Sequence, residues 1–320
     1  MKMTKHSMNV AGIDTGKAVL DIAVHGRAEC WQVSNDLAGW RRLAEILWDA
    51  DVGRIGIEAS GGYERGVVAY LREAGFGVSL HQPIQVKAFA TMRLRRAKND
   101  RLDAHLIAAF TAILGAERPA PDKRFQAFAD HLTFIEQVEE DIVRAKTRLE
   151  HQGDPRLRRQ LESDLARATR RRQAELNRLM ADLRAHDDIA RRLDLVLSIP
   201  GIGERTAVAL IVGMPELGSL TREQAASLAG LAPFDDDSGQ HAGDRHIAGG
   251  RARVRTALYA AALPASYRWS EALVGLRTRL AGRGKTHKQT MIACARKLLI
   301  YANAVLERGT PWQVAAPSKS

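Results

Sequence analysis

Four carboxylates in the first third of the chain have the type and spacing to do chemistry together: Asp14 in GIDTGK, Glu58 in RIGIEAS, and Asp100 and Asp103 in KNDRLDAH. Asp14 and Glu58 each close an apolar run that reads as a buried strand, so neighbouring strands would bring them out at one sheet edge. Asp100 and Asp103 lie one helical turn apart and share a side of their helix. With Asp100 as origin and about 100° per residue, Leu102, Leu106, Ile107, Phe110, Ile113 and Leu114 fan from about 200° to about 340°. Asp103, at about 300°, falls inside that stripe. A carboxylate on a buried face is costly unless a cation, a hydrogen-bond network or a metal compensates it. Four converging acids without matching bases suit a hard divalent cation, Mg²⁺ or Mn²⁺. Two such ions about 4 Å apart stabilise the attacking and leaving oxygens of a phosphodiester. Each acid alone has a plainer use, as a turn residue, a cap or an N-terminal helix charge.

Three further segments could touch a phosphate. In LAPFDDDSGQ, Ser238 follows three aspartates and precedes a glycine. A nucleophilic serine needs exposure and a base or metal to draw off its proton, although D-S-G more commonly makes a turn. SIPGIGERTAVAL resembles a helix-hairpin-helix element, in which Gly201 and Gly203 would let backbone N–H groups approach a phosphate. The same turn also joins helices that hold no ligand. Arg245, Arg251, Arg253 and Arg255, with His246, form a basic patch beside the serine segment, and phosphate contact is its natural use.

The elements that must position these residues can be read in outline. Residues 8–14, 18–26 and 30–34 read as three strands, with a tight turn at 15–17 and a helix after a cap at Asn35 or Asp36. Strand, helix, strand and helix signals then alternate through residues 54–60, 63–74 and 76–81 and from Pro83, up to the helix that carries KNDRLDAH. The result is a mixed sheet with helices on its faces over residues 1–120. Residues 121–190 read as a long antiparallel helical hairpin, either a coiled coil that pairs subunits or an internal helix pair. Residues 191–310 read as a mostly helical domain, and residues 311–320 as a flexible tail.

The 320 residues carry a net charge of +11, spread unevenly: +3 over residues 1–120, 0 over 121–190 and +8 over 191–320. A basic C-terminal part points to a polyanion, most economically nucleic acid. Two isolated cysteines, Cys30 and Cys294, argue against a disulfide framework or a cysteine metal site. With no bilayer-length apolar run and no signal-peptide pattern, the expected location is the cytoplasm, away from membranes.

Taken together, GIDTGK, IEASGGYE, KNDRLDA, SIPGIGERTA and LAPFDDDSGQHAGDRHIAGGRARVRTALYAAA resemble the DEDD transposases of bacterial insertion sequences, over nearly the whole chain. That family includes a pilin-gene invertase and RNA-guided bridge recombinases. The resemblance implies an α/β RNase H/RuvC-like N-terminal domain whose metal-binding acids map onto Asp14, Glu58, Asp100 and Asp103. It further implies a C-terminal transposase domain in which Ser238 is the nucleophile and forms a phosphoserine link to DNA. Element and target DNA, a structured guide RNA and a homo-oligomer held through the hairpin are the implied partners. The acids of one subunit would lie beside the serine of another.

Three other readings stay open on the residues. A RuvC-like nuclease or junction resolvase would use the same acids with water as nucleophile. A sugar kinase or ATPase would use GIDTGK as a phosphate loop. A purely structural DNA-binding protein would need none of the acids.

Overall fold

The computed structural model describes residues 9–93, 100–114, 122–234, 246–247 and 249–313. It divides into two compact units, 1–121 and 122–320. The sequence reading drew a second boundary near residue 190. The chain instead shares one apolar core across that point, because Phe128, Leu132, Ile135, Leu176, Leu179 and Leu183 of the helix pair pack with Leu193, Val208 and Leu298.

The first unit is built on a five-stranded sheet of order β3-β2-β1-β4-β5. Its strands are β1 (Asn9–Thr15), β2 (Val19–Val24), β3 (Cys30–Ser34), β4 (Val52–Glu58) and β5 (Gly77–His81). β1, β2 and β3 form an antiparallel meander, and β4 and β5 join parallel to β1. Alternation sorts the residues onto two faces. Ile13, Ile22 and Ile57 face α1 (Leu37–Asp49) and α2 (Arg65–Glu73), packing with Leu43, Leu47, Val67 and Leu71. Asp36 caps α1 by accepting from the Gly39 N–H at 2.9 Å. Gln82 and Gln85 form a capping box at the start of α3 (Pro83–Met92).

The other face belongs to α4 (Asp100–Ile113). Glycines let the helix lie directly on the strands. A Cβ on Gly12 would stand 2.2 Å from the Ala108 nitrogen and 2.3 Å from the Ala104 oxygen, and one on Gly56 would stand 1.8 Å from Thr111 Oγ1. Gly12→Val therefore pushes α4 off β1, an overpacking cost of about 3 kcal/mol. Thermal unfolding of the variant should show a clear loss of stability.

The second unit is helical. α5 (Lys123–Glu150) and α6 (Pro155–Arg184) pack along one another, joined by a short turn in which Asp154 caps α6. From residue 139 to 170 their facing apolar residues, including Ile142, Leu149, Leu157, Leu161 and Leu165, are only half-buried. α7 (Asp187–Leu197), α8 (Glu204–Gly213) and α9 (Arg222–Leu228) follow. β6 (Pro233–Phe234) pairs antiparallel with β7 (His246–Ile247). α10 (Ala252–Pro264), a π-helical turn (Ala265–Trp269), α11 (Glu271–Gly282) and α12 (His287–Arg308) complete the unit.

Candidate active site

The sheet register puts Asp14 and Glu58 side by side. Ile13 pairs with Ile57, and the next residues on these parallel strands are the two acids, both half-buried. Each stands two residues beyond a glycine that touches α4, so both project from the α4 face. α4 itself is placed by its other end. Arg54, near the start of β4, donates from Nη2 to the Thr111 carbonyl, whereas Ala104 and Ala108 lie over Gly12. The helix thus enters near the C-terminal halves of the strands, and its first turn holds Asp100 and the half-buried Asp103. The side chains of residues 100–102 lie outside the described residues.

Around the two strand-end acids the sheet builds a polar row that the sequence reading missed. Asp14 pairs with Asp21 on β2, Asp21 with Gln32 on β3, and Glu58 with His81 on β5. Cross-strand partners share a face, so Gln32, Asp21, Asp14, Glu58 and His81 form one line across the sheet. Asp21 is buried and accepts from Gln32 Nε2 at 3.0 Å. His81 is buried, with Nε2 2.8 Å from Thr111 Oγ1, and that hydroxyl donates onward to the Ile107 carbonyl at 2.7 Å. Its proton is thereby committed, so His81 carries hydrogen on Nε2 and donates. The ring also meets Phe110 edge-on, with centroids 5.0 Å apart. On the same face His105 of α4 places Nε2 3.2 Å from Cys30 Sγ. Among the described residues, no three His, Cys, Asp or Glu side chains stand close enough to hold a metal ion as they are.

The loop after Glu58 is fixed by a second missed acid, Glu64. It is buried and accepts from the Ser60 and Gly62 N–H groups at 3.1 and 2.9 Å, while Gly61 and Gly62 take φ of +72° and +104°. IEASGGYE is therefore a closed turn whose own glutamate ties down the strand end that carries Glu58.

Ser238 and Arg245 lie outside the described residues, but the neck of their loop is described. β6 and β7 pair Pro233 with Ile247 and Phe234 with His246. Below them, a Cβ on Gly250 would stand 2.2 Å from the Gly230 nitrogen, so two backbones touch where only glycine fits. Arg255 donates to the Gly249 carbonyl at 2.6 Å and reaches the Ala229 carbonyl at 3.3 Å.

This changes the reading of the arginine patch. Arg255 clamps the neck of the serine loop. Arg251 donates to the Gly213 carbonyl at 2.8 Å and pairs with Glu216 at 2.5 Å. Arg253 pairs with Glu136 at 3.1 Å and donates to Thr133, although its side chain stays 59% exposed. The partners come from distant segments, so residue spacing could not reveal them.

Gly201 and Gly203 sit between α7 and α8. Gly201 has φ +97°, and a Cβ there would stand 2.3 Å from the Ala265 Cβ. Gly203 caps α8 from an extended backbone.

A half-buried ion cluster joins α5, α6 and α8. Glu139 accepts from Arg205 Nε at 3.1 Å and Nη2 at 3.0 Å and from Arg172 at 3.1 Å, and Arg205 also reaches Glu136 at 3.1 Å. Burial works to raise the Glu139 carboxyl, but the arginine hydrogen bonds and charges outweigh it and hold the group below its ordinary range. A carboxyl depressed in the folded state contributes stability above its unfolded value and loses it as pH falls through the folded value. Acid should therefore weaken this unit below the ordinary carboxylate range. Glu139→Gln should cost about 2 kcal/mol near neutrality and flatten that acid limb, both read from melts across pH.

Residues 11–154 match a family model described as a transposase, and residues 193–276 match one described as the transposase IS116/IS110/IS902 family. The class is that of DNA-cleaving and rejoining enzymes. The chain belongs to this transposase family. It is 27% identical over 327 residues to the pilin gene-inverting protein of Moraxella bovis, across 96% of this chain and 98% of that protein. The pilin gene-inverting protein of Moraxella lacunata matches to the same extent. An IS110 insertion-element protein of Streptomyces coelicolor is 32% identical over 132 residues, 39% of this chain and 31% of that protein. Among solved structures, RuvC of Thermus thermophilus aligns with 35% of this chain and 99% of its own, at 21% identity and a TM-score of 0.27.

Proposed function

We propose that this transposase cuts and rejoins DNA through a phosphoserine intermediate. Ser238 would be the nucleophile, with Asp14, Glu58, Asp100 and Asp103 as the acidic set that serves it. The observation that carries the reading is the pairing of Asp14 and Glu58 at the ends of adjacent parallel strands, on the face where α4 begins. The donor chemistry fits a hard cation, since all four are anionic oxygen donors suited to Mg²⁺ or Mn²⁺. Such an ion, when bound, supplies Lewis-acid stabilisation to the attacking and leaving oxygens.

In the first transfer, Ser238 Oγ forms a bond to phosphorus and the bond to the 3′-oxygen breaks. The serine proton is balanced by the one the departing 3′-hydroxyl gains. The 5′-phosphate stays on the serine, and the phosphodiester energy is conserved without ATP. In the reverse step a 3′-hydroxyl of the exchanged strand attacks the phosphoserine and releases Ser238. Arg255 and the Gly230–Gly250 contact would hold the neck of the serine loop, and Glu64 would hold the turn beyond Glu58.

DNA is the substrate in this reading, and an element-encoded guide RNA is the partner that the family resemblance adds. The half-buried apolar seam between α5 and α6 supports assembly through that pair, where a second copy would complete the burial. The helix-turn-helix geometry around Gly201 and Gly203 supports a backbone phosphate contact at the start of α8. The test is to trap protein-linked DNA. Purified protein, Mg²⁺, labelled element-junction DNA and co-expressed RNA are run on a denaturing gel. A band that survives denaturation supports the reading, and cut DNA without such a band overturns it in favour of hydrolysis by water.

A further inference from the structure

The surface of the second unit carries two large aromatics that the chemistry above does not use. Pro264, at the end of α10, has no N–H to continue the helical ladder. The chain passes into a π-helical turn closed by the Ser270 N–H on the Ala265 carbonyl at 3.0 Å. Single π turns inside helical segments are rare and cluster at functional positions. This one is anchored from within: Ala265 and Ser266 are fully buried, Ala265 lies against Gly201, and Ser266 approaches Met291. Outward it presents Tyr267 at 54% exposure and Trp269 at 57%, with Arg268 exposed between them.

Arg277 of α11 prepares the platform. Its Nε donates to the Ser266 carbonyl at 3.0 Å, and its guanidinium lies 4.2 Å from the centre of the Tyr267 ring. That contact covers one face of the ring and fixes its plane, while more than half of the residue stays open. The segment is cationic: residues 265–290 hold six Lys/Arg against one acid, Glu271. Arg268, Arg279 and Arg283 are exposed. Flat aromatic faces within a basic surface fit a polyanion that carries planar bases, because stacking tolerates any base and the charges follow the backbone. Duplex DNA hides those faces, and an acidic peptide would use the charges but leave the rings unfilled.

We infer that Tyr267 and Trp269 form a stacking platform for the unpaired bases of single-stranded DNA, with Arg268 between them following its phosphates. The platform rests on the DNA-processing reading above but not on Ser238 or the acids. Strands opened for cutting and exchange would expose such bases.

The experiment measures binding of the full-length protein to a labelled oligo(dT) without divalent ions, by fluorescence anisotropy across a salt series, so that no cleavage is involved. Trp269→Ala and Tyr267→Ala should each weaken binding about tenfold with the salt slope unchanged, and Trp269→Phe should keep most of the affinity. Arg268→Ala should lower the salt slope by about 0.7. Unchanged affinity in both aromatic variants overturns the platform, as does equal binding to a duplex of the same length. Tight binding of oligo(U) with none of oligo(dT) overturns the assignment to DNA. Trp269→Ala and Tyr267→Ala proteins that both bind normally and still form the covalent adduct remove the platform alone. A Ser238→Ala protein that loses the adduct but binds oligo(dT) normally leaves the platform standing.

Discussion

Asp103→Ala should stop strand cleavage, lowering the rate by about a thousandfold or more, while the protein stays folded. The size follows from what a carboxylate in a cation-binding set contributes: several kcal/mol of stabilisation for charge that develops on the reacting oxygens, at about 1.4 kcal/mol per tenfold in rate. Folding should be spared because Asp103 is only half-buried in the first turn of α4 and packs no core. Removing a charge from beside the apolar stripe leaves stability level or slightly raised, as is common when an active-site acid is deleted. If Asp103 served only as a favourable charge at a helix N-terminus, the outcome would be the reverse: a loss of about 0.3–1 kcal/mol in stability with cleavage intact. Cleavage rate and melting temperature measured on one preparation separate the two. Asp103→Asn sharpens the test, since it keeps the shape of the side chain while removing the charge and turning one acceptor oxygen into an NH2 donor. It should cleave as poorly as Asp103→Ala.

The strand ends were legible in the sequence for a physical reason. An apolar run that stops at a carboxylate marks the point where a buried strand nears its end, at Glu58 for β4 and one residue before the end of β1 for Asp14. The parallel pairing of β1 with β4 then makes them neighbours. Asp103 was legible because helical periodicity is local and a charge inside an apolar stripe stands out. What flanks these acids was hidden. Asp21, Gln32 and His81 join the row only through strand register, which depends on how separate segments pair and leaves no mark in any one of them. Glu64 closes IEASGGYE, but its role depends on two positive-φ glycines that fold the chain back onto it.

The arginines show what a sequence leaves out. GGRARVR reads as a phosphate patch because charge density is visible in a sequence and ion-pair partners are not. Glu136 and Glu216, which receive Arg253 and Arg251, come from α5 and from the segment after α8. Further on, Arg277 lies over the exposed ring of Tyr267, two residues from the exposed Trp269. There the sequence offers only YRW after a proline, and the π turn that exposes both rings is a tertiary result.

Ser238→Ala should abolish the protein–DNA adduct and every rejoined product while leaving DNA affinity unchanged. The argument turns on how rejoining is powered. A strand cut by water ends in a free 5′-phosphate, and restoring the phosphodiester then needs an outside energy source. A strand held as a phosphoserine keeps the bond energy, so a 3′-hydroxyl can reclaim it directly. The covalent link lets one enzyme rejoin the very ends it cut without ATP, and alanine, with no oxygen to offer, cannot make it. The loop neck should be indifferent to the change, because it is closed by the β6–β7 pairing, the contact of Gly250 with Gly230, and Arg255 on the Gly249 carbonyl. Binding measured by anisotropy and adduct measured on a denaturing gel should thus part company in this one variant. Cleaved DNA in the Ser238→Ala lane at the rate of the unaltered protein would assign the acids to a water-using nuclease and leave the serine as a turn residue. Loss of cleavage and adduct together, with binding retained, would make Ser238 Oγ the atom that attacks phosphorus.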